Sequence, residues 1–303
     1  MDLGAAGLNK QPFPAEGDSS AMISYDAARP CLEVLENTYA APYGLAELQG
    51  PALSCKSTII RCFINSLHED CAVATIDGSE LESSELLGEL LRQFGYEVDL
   101  ESPAELIGLI RVFAQQQAAH HEPPLLVVEN THLLRPDALR AICEMAELRT
   151  KTGSALKIVL VSDRSLQPIL TAPAMKRISH RMTYDFHISP MTQQETRSYL
   201  HHKLRAAGSM LPEYVFTEAV CDELWEASGG WPGILDRLAL LALARSESLP
   251  VAIEHVEHAK LPRGTWDYED LALPESLPVG EQVTPRLIVT TNGKVVDLSL
   301  IHI

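Results

Sequence analysis

Gly50-Pro51-Ala52-Leu53-Ser54-Cys55-Lys56-Ser57, followed by Thr58, decides how the chain is read. It resembles the phosphate-loop pattern G-x-x-x-x-G-K-[ST], with the first glycine, the lysine and the hydroxyl residue in register and Cys55 in place of the second glycine. The intact pattern works because glycines let backbone N–H groups curl around phosphates at a helix N-terminus. In that geometry Gly50, Ser54, Cys55 and Thr58 line the loop, Lys56 reaches the outer phosphates and Ser57 holds Mg²⁺. Cys55 puts a side chain where the backbone approaches the β-phosphate. Taken alone the motif is weak, because a helix N-terminus with an exposed lysine gives the same letters.

Context carries the reading further. Residues 44–48 form a short apolar run ending in a Gly-Pro break, and 56–67 read as helical. Residues 71–76 (CAVATI), 125–128 (LLVV), 157–161 (KIVLV) and 183–188 read as buried strands. Between them lie helical patterns at 83–94, at 102 onward with Pro103 in the first turn, and at 137–149 behind Pro136. Strands alternating with helices of this length predict βαβ units and a parallel sheet. The expected fold is α/β, a three-layer sandwich of the P-loop NTPase kind with a five-stranded parallel sheet, spanning 44–190.

After Pro190 helices take over. Thr192 with Glu195 forms a capping box, helices follow at 216–227 and 233–244, and 251–259 reads as a short fourth. Residues 191–260 are thus expected to be a small all-α lid, 261–284 a Pro-rich acidic linker, and 285–303 a strand pair around the turn signal Asn292-Gly293. Residues 1–43 stand as a separate N-terminal segment.

Further chemistry-bearing residues sit at strand ends. In LLVVENTH, Glu129 takes the position of the acid that orients Mg²⁺, and Asn130 that of the glutamate that activates water. An amide can orient a water but cannot accept its proton, and loss of a positioned base typically removes ~10²–10⁴-fold in rate. Asp163, just past the fourth strand, is placed to sense a γ-phosphate, with Ser162 as the alternative. All this needs Lys56 and the Glu129 carboxylate to face one crevice across adjacent strand ends.

Bulk properties exclude other classes. The formal net charge is -17, a field that repels phosphate backbones and argues against nucleic-acid binding. The six cysteines show no CxxC spacing and read as reduced, buried thiols of a cytoplasmic protein. No apolar run reaches the ~18 residues needed to span a bilayer.

These segments together resemble the bacterial general secretion pathway A-type ATPases, AAA+ proteins near the Orc1/Cdc6-like and transposition-helper ATPases, from about residue 7 to about 260. GLNKQPF at 7–13 looks like that family's opening, and residues 50–58 like its G-E-V-G-T-G-K-T-T loop. VVENTH at 127–132 resembles I-I-D-E-A-Q, residues 158–164 I-V-L-V-G-Q-P, and Arg177 through Arg181 R-I-T-A-R. SGGWPG at 228–233 is similar to the S-G-G-x-P-R of its helical lid. The resemblance implies ATP or ADP with Mg²⁺ as cofactors, Ser57 and Glu129 on the metal, and a protein partner of the envelope or secretion type or self-association in a ring. It gives Arg177 and Arg181 the role of arginine fingers acting in trans; surface helix charges are the alternative. Cys55, Glu129-Asn130 and Gly233 depart from the family's glycine, Asp-Glu and lid arginine. The expectation is therefore binding with weak or absent hydrolysis; an active ATPase, a DNA-associated helper and a nucleotide-free scaffold are the alternatives. PRLIVTTNGKVV resembles the first hairpin of a forkhead-associated domain, which implies a phosphothreonine protein as partner. The final LSLIHI reads as translated sequencing adapter, so the natural chain is expected to continue.

Overall fold

The computed structural model describes residues 7–14, 28–97, 99, 102–120, 122–166, 184–256, 288–291 and 294–297. They group into two compact units: Ala28–Gly50 with Lys56–Ile188, and Met1–Ala27 with Pro51–Cys55 and Ser189–Ile303.

The first unit holds the sheet. Its strands are β1 (Leu45–Gln49), β2 (Val73–Asp77), β3 (Leu125–Glu129), β4 (Lys157–Ser162) and β5 (Tyr184–His187), all parallel, in the order β2-β3-β4-β1-β5. Its helices are α1 (Ala28–Ala40), α2 (Lys56–Ser66), α3 (Ser83–Gln93), α4 (Pro103–His120) and α5 (Pro136–Ala146). Side chains alternate across a strand, so a sheet covered on both faces reads as a continuous apolar run. Leu126, Val128, Ile158 and Leu160 face one way and share a core with Leu86, Leu90, Ile110 and Ile142 of α3, α4 and α5. Leu125, Val127, Val159 and Val161 are equally buried on the other face. On that side α1 packs against α2 and against β1, β4 and β5. The result is the expected three-layer α/β fold of P-loop NTPases.

The sequence reading gave no helix at α1, although its buried Cys31, Leu35 and Thr38 follow a helical spacing. β1 is also not the plain apolar run it was taken for. All five of its residues are buried, including Glu47 and Gln49. The Glu47 carboxylate lies at 0% exposure, and its Oε1 accepts hydrogen bonds from the Ser162 hydroxyl (3.2 Å) and the Leu166 N–H (3.1 Å). Those bonds offset part of the cost of burying a polar group inside a sheet.

The second unit is helical: α6 (Gln193–Ala206), α7 (Pro212–Val215), α8 (Glu218–Ser228) and α9 (Pro232–Arg245). The capping box opens α6: Glu195 N–H donates to Thr192 Oγ1 (3.3 Å) and Thr192 N–H to Glu195 Oε2 (2.7 Å). The expected helix at 251–259 is, within the described residues, a single 3-10 turn, Ile253–His255. The expected separate N-terminal segment is divided between the units. Asn9 N–H donates to Ala207 O (2.7 Å), and buried Phe13 stacks on Phe216 with ring centroids 6.3 Å apart, whereas α1 belongs with the sheet. Strands β6 (Ile288–Thr291) and β7 (Lys294–Asp297) pair antiparallel, Thr291 opposite Lys294, around the Asn292-Gly293 turn signal.

Candidate functional site

The β1–α2 connection carries the phosphate-loop letters. Gly50 N–H donates to Ser162 O (3.2 Å), tying the start of the loop to the end of β4. Leu53 and Cys55 then take left-handed backbone conformations, φ 65° and 67°. Cys55 thus adopts the conformation favoured by the glycine that the pattern calls for, at a cost of roughly 1–2 kcal/mol for an L-residue. Ser54 is buried and its N–H closes a turn on Pro51 O (3.2 Å). Ser57 and Thr58 lie in the first turn of α2, where aligned peptide dipoles favour an anion. Ser57 is exposed to solvent; Thr58 is buried, and its Oγ1 accepts from Arg61 Nη2 (3.4 Å).

Lys56 is 8% exposed, and its Nζ donates to Gly50 O (2.7 Å) and to Asp163 Oδ1 (2.7 Å). Its counterion is therefore Asp163, which follows β4. The expectation of adjacent strand ends for Lys56 and Glu129 needs correcting, because β4 lies between β1 and β3. Glu129 closes β3 half-buried, and among the described residues its carboxylate makes no hydrogen bond or ion pair.

Asn130 stands in the left-handed region at φ 51°, and its Nδ2 donates to Asp77 Oδ1 (2.9 Å). The Ser79 hydroxyl (2.7 Å) and N–H (3.1 Å) donate to the same oxygen. Burial pushes Asp77 upward, but these three donors together outweigh it and hold its carboxyl below the usual range. Asp77 lies in register with Glu129 across the β2–β3 pair, a position the sequence reading passed over. Its only sequence signal is an acid ending an apolar strand ahead of Gly78.

On the other side of the β3 turn, Thr131 Oγ1 donates to Val128 O (2.9 Å) and lies 3.1 Å from Val161 O. His132 Nδ1 accepts the Asp163 N–H (3.3 Å). Burial lowers the pKa of this imidazole against the opposing pull of Asp163, which keeps Nδ1 available as an acceptor. Ser162, the alternative sensor, is fully buried, with its Oγ 3.2 Å from Glu47 Oε1 and 2.7 Å from Arg164 O. Arg177 and Arg181 lie outside the described residues.

Within the helical unit, Gly233 in the first turn of α9 donates its N–H to Leu53 O (2.9 Å), and a Cβ there would come within 2.6 Å of that carbonyl. The position where the resembled family carries arginine is therefore packed directly against Leu53, in the same unit.

Residues 43–170 match the AAA domain family. The chain is also similar to general secretion pathway protein A of Aeromonas hydrophila, 25% identical over 244 residues, covering 79% of this chain and 44% of that protein. It thus spans less than half the length of that relative. Among solved structures it resembles Cdc6p from Pyrobaculum aerophilum, with TM-score 0.55 and 17% identity over 81% of this chain and 65% of that one. It likewise resembles the ORC2 protein of Aeropyrum pernix in its ADP form, with TM-score 0.55 and 14% identity over 84% and 71%. These likenesses establish the P-loop NTPase fold. Among the described residues no helix is long and apolar enough to cross a membrane.

Proposed function

We propose that the chain is a nucleotide-binding AAA+ module that holds ADP or ATP at Lys56 and the loop before it and hydrolyses slowly or not at all. Occupancy of that site sets a conformation or an assembly with a protein partner, of the envelope or secretion type by its likeness to the Aeromonas protein. One observation carries this reading: Cys55 keeps the left-handed backbone of the missing glycine, so the anion-receiving shape survives although the letter has changed. Lys56 is half of that receptor, anchored at the loop's first carbonyl.

Weak hydrolysis is supported at the β3 end. Asn130 replaces the base with an amide, and that amide is already committed to Asp77. The residues present fit Mg²⁺: Ser57 offers an exposed hydroxyl on α2, and Glu129 a carboxylate with no protein partner among the described residues. Bound there, Mg²⁺ would neutralise phosphate charge. The β6–β7 hairpin supports a further binding part of the forkhead-associated kind, directed at a phosphothreonine protein.

The test is a nucleotide titration of the purified chain and of Lys56→Ala. Millimolar Mg-nucleotide raises the melting temperature of the wild type by mass action, and Lys56→Ala abolishes the shift. Phosphate release stays near background in both. An unshifted wild type makes the chain a nucleotide-free scaffold. Steady phosphate release abolished by Lys56→Ala makes it a working ATPase instead.

A further inference from the structure

A residue that recognises a terminal phosphate must offer a donor or a positive charge, since phosphate oxygens only accept. The strand next to β1 ends at Ser162, and Asp163 follows it. The Ser162 side chain is buried beside Glu47 and the Arg164 carbonyl. Asp163 has a carboxylate, an acceptor, and it lies 2.7 Å from Lys56 Nζ with 32% of its side chain exposed. The lysine that reaches the outer phosphates in this fold is thus already met by an anion supplied by the chain.

Resting on the nucleotide-binding reading above, we infer that Asp163 determines which nucleotide is held: its carboxylate stands beside Lys56 in place of a terminal phosphate, so the site selects nucleoside diphosphates over triphosphates. The charges give the direction. Loop amides and the α2 N-terminus serve the inner phosphates of either nucleotide. A third phosphate extends towards Lys56 and there meets the Asp163 carboxylate at close range. To bind, the triphosphate must either displace that carboxylate from the lysine or accept its repulsion. The diphosphate brings one phosphate fewer and leaves the Lys56–Asp163 pair intact. His132 reinforces the arrangement, since its Nδ1 accepts the Asp163 N–H and fixes the backbone from which the carboxylate projects. The role is opposite in sign to γ-phosphate sensing, the task that position alone assigns to residue 163.

Isothermal titration of the full chain with Mg-ADP and Mg-ATP tests this in the wild type, in Asp163→Asn and in Asp163→Ser, with melting temperature without nucleotide as the folding control. The wild type is expected to hold ADP more tightly than ATP by about tenfold or more, the scale of one like-charge contact near solvent. Both variants are expected to bring the two affinities within about threefold, mainly by tightening ATP. Equal affinities in the wild type overturn the inference and leave nucleotide binding standing. So does a preference for ADP that both variants retain, or an equal gain for both nucleotides. If neither nucleotide binds the wild type or the folded variants, the binding reading itself fails.

Discussion

On the proposed reading, Cys55 and Asp163 are single residues that alter a phosphate site without dismantling it. Cys55 holds φ 67° where glycine would rest without strain. Replacing it by glycine removes roughly 1–2 kcal/mol of left-handed strain. The same change adds roughly 0.5–1 kcal/mol of unfolded-chain entropy. Cys55→Gly should therefore leave the unfolding free energy measured in urea unchanged or raise it by up to about 1.5 kcal/mol, and tighten nucleotide several-fold by clearing the thiol from the loop. A loss of stability beyond about 1 kcal/mol would mean that the thiol makes packing contacts worth more than the strain. At this scale the sequence was half legible. The register of Gly50, Lys56 and Ser57 could be read from spacing, because a loop between strand and helix is local. The pairing of Lys56 with Asp163 could not, since it depends on which strand lies beside β1, and sequence order does not give that.

Strands and helices were more legible than their neighbours in space. β3 and β4 read as plain apolar runs because both faces are buried. β1 disguised itself with Glu47 and Gln49, polar residues whose burial is made tolerable by partners distant in sequence, among them Ser162 and Leu166. Asp77 and Glu129 are separated by two helices in the chain, yet stand opposite each other in the β2–β3 register. At the start of α9, SGGWPG looked like a lid motif that had merely lost its arginine. Gly230, at φ 79°, has no room for a Cβ, which would fall 2.3 Å from Met191 O. Gly233 is confined in the same way by Leu53 O. Introducing the arginine of the resembled family with Gly233→Arg should accordingly cost about 2 kcal/mol, as overpacking against backbone typically does. It should bring no gain in phosphate release. Urea denaturation and a phosphate assay check the two halves. Undiminished stability with new hydrolysis would show that the helix start yields and that the glycine is only a lost catalytic letter.

For the molecule as a whole, compact units and stretches of sequence do not coincide. The sheet unit excludes Pro51–Cys55, and the helical unit includes residues from the start of the chain. Residues 7–14 read as part of a separate N-terminal segment because no βαβ pattern includes them, but Leu8 and Phe13 are buried, at 4% and 2% exposure. Phe13 stacks on Phe216 and lies with its ring centroid 5.6 Å from Lys203 Nζ, an ammonium itself paired with Asp236 (2.5 Å). A cation over an aromatic face gains about 0.5–2 kcal/mol depending on desolvation. Truncating a buried phenylalanine costs about 3–5 kcal/mol. Phe13→Ala should thus destabilise the helical unit by about 3 kcal/mol, although residue 13 lies far from that unit in sequence. Hydrogen exchange reads this by unit: amides of α6, α8 and α9 should lose protection while those of β1, β3 and β4 keep theirs. Loss confined to residues 7–14 would mean that the segment only rests on a unit able to stand without it. Equal loss in both units would mean that the chain opens as one cooperative body, in which a change in the helices reaches the strand ends around Lys56 through global unfolding alone.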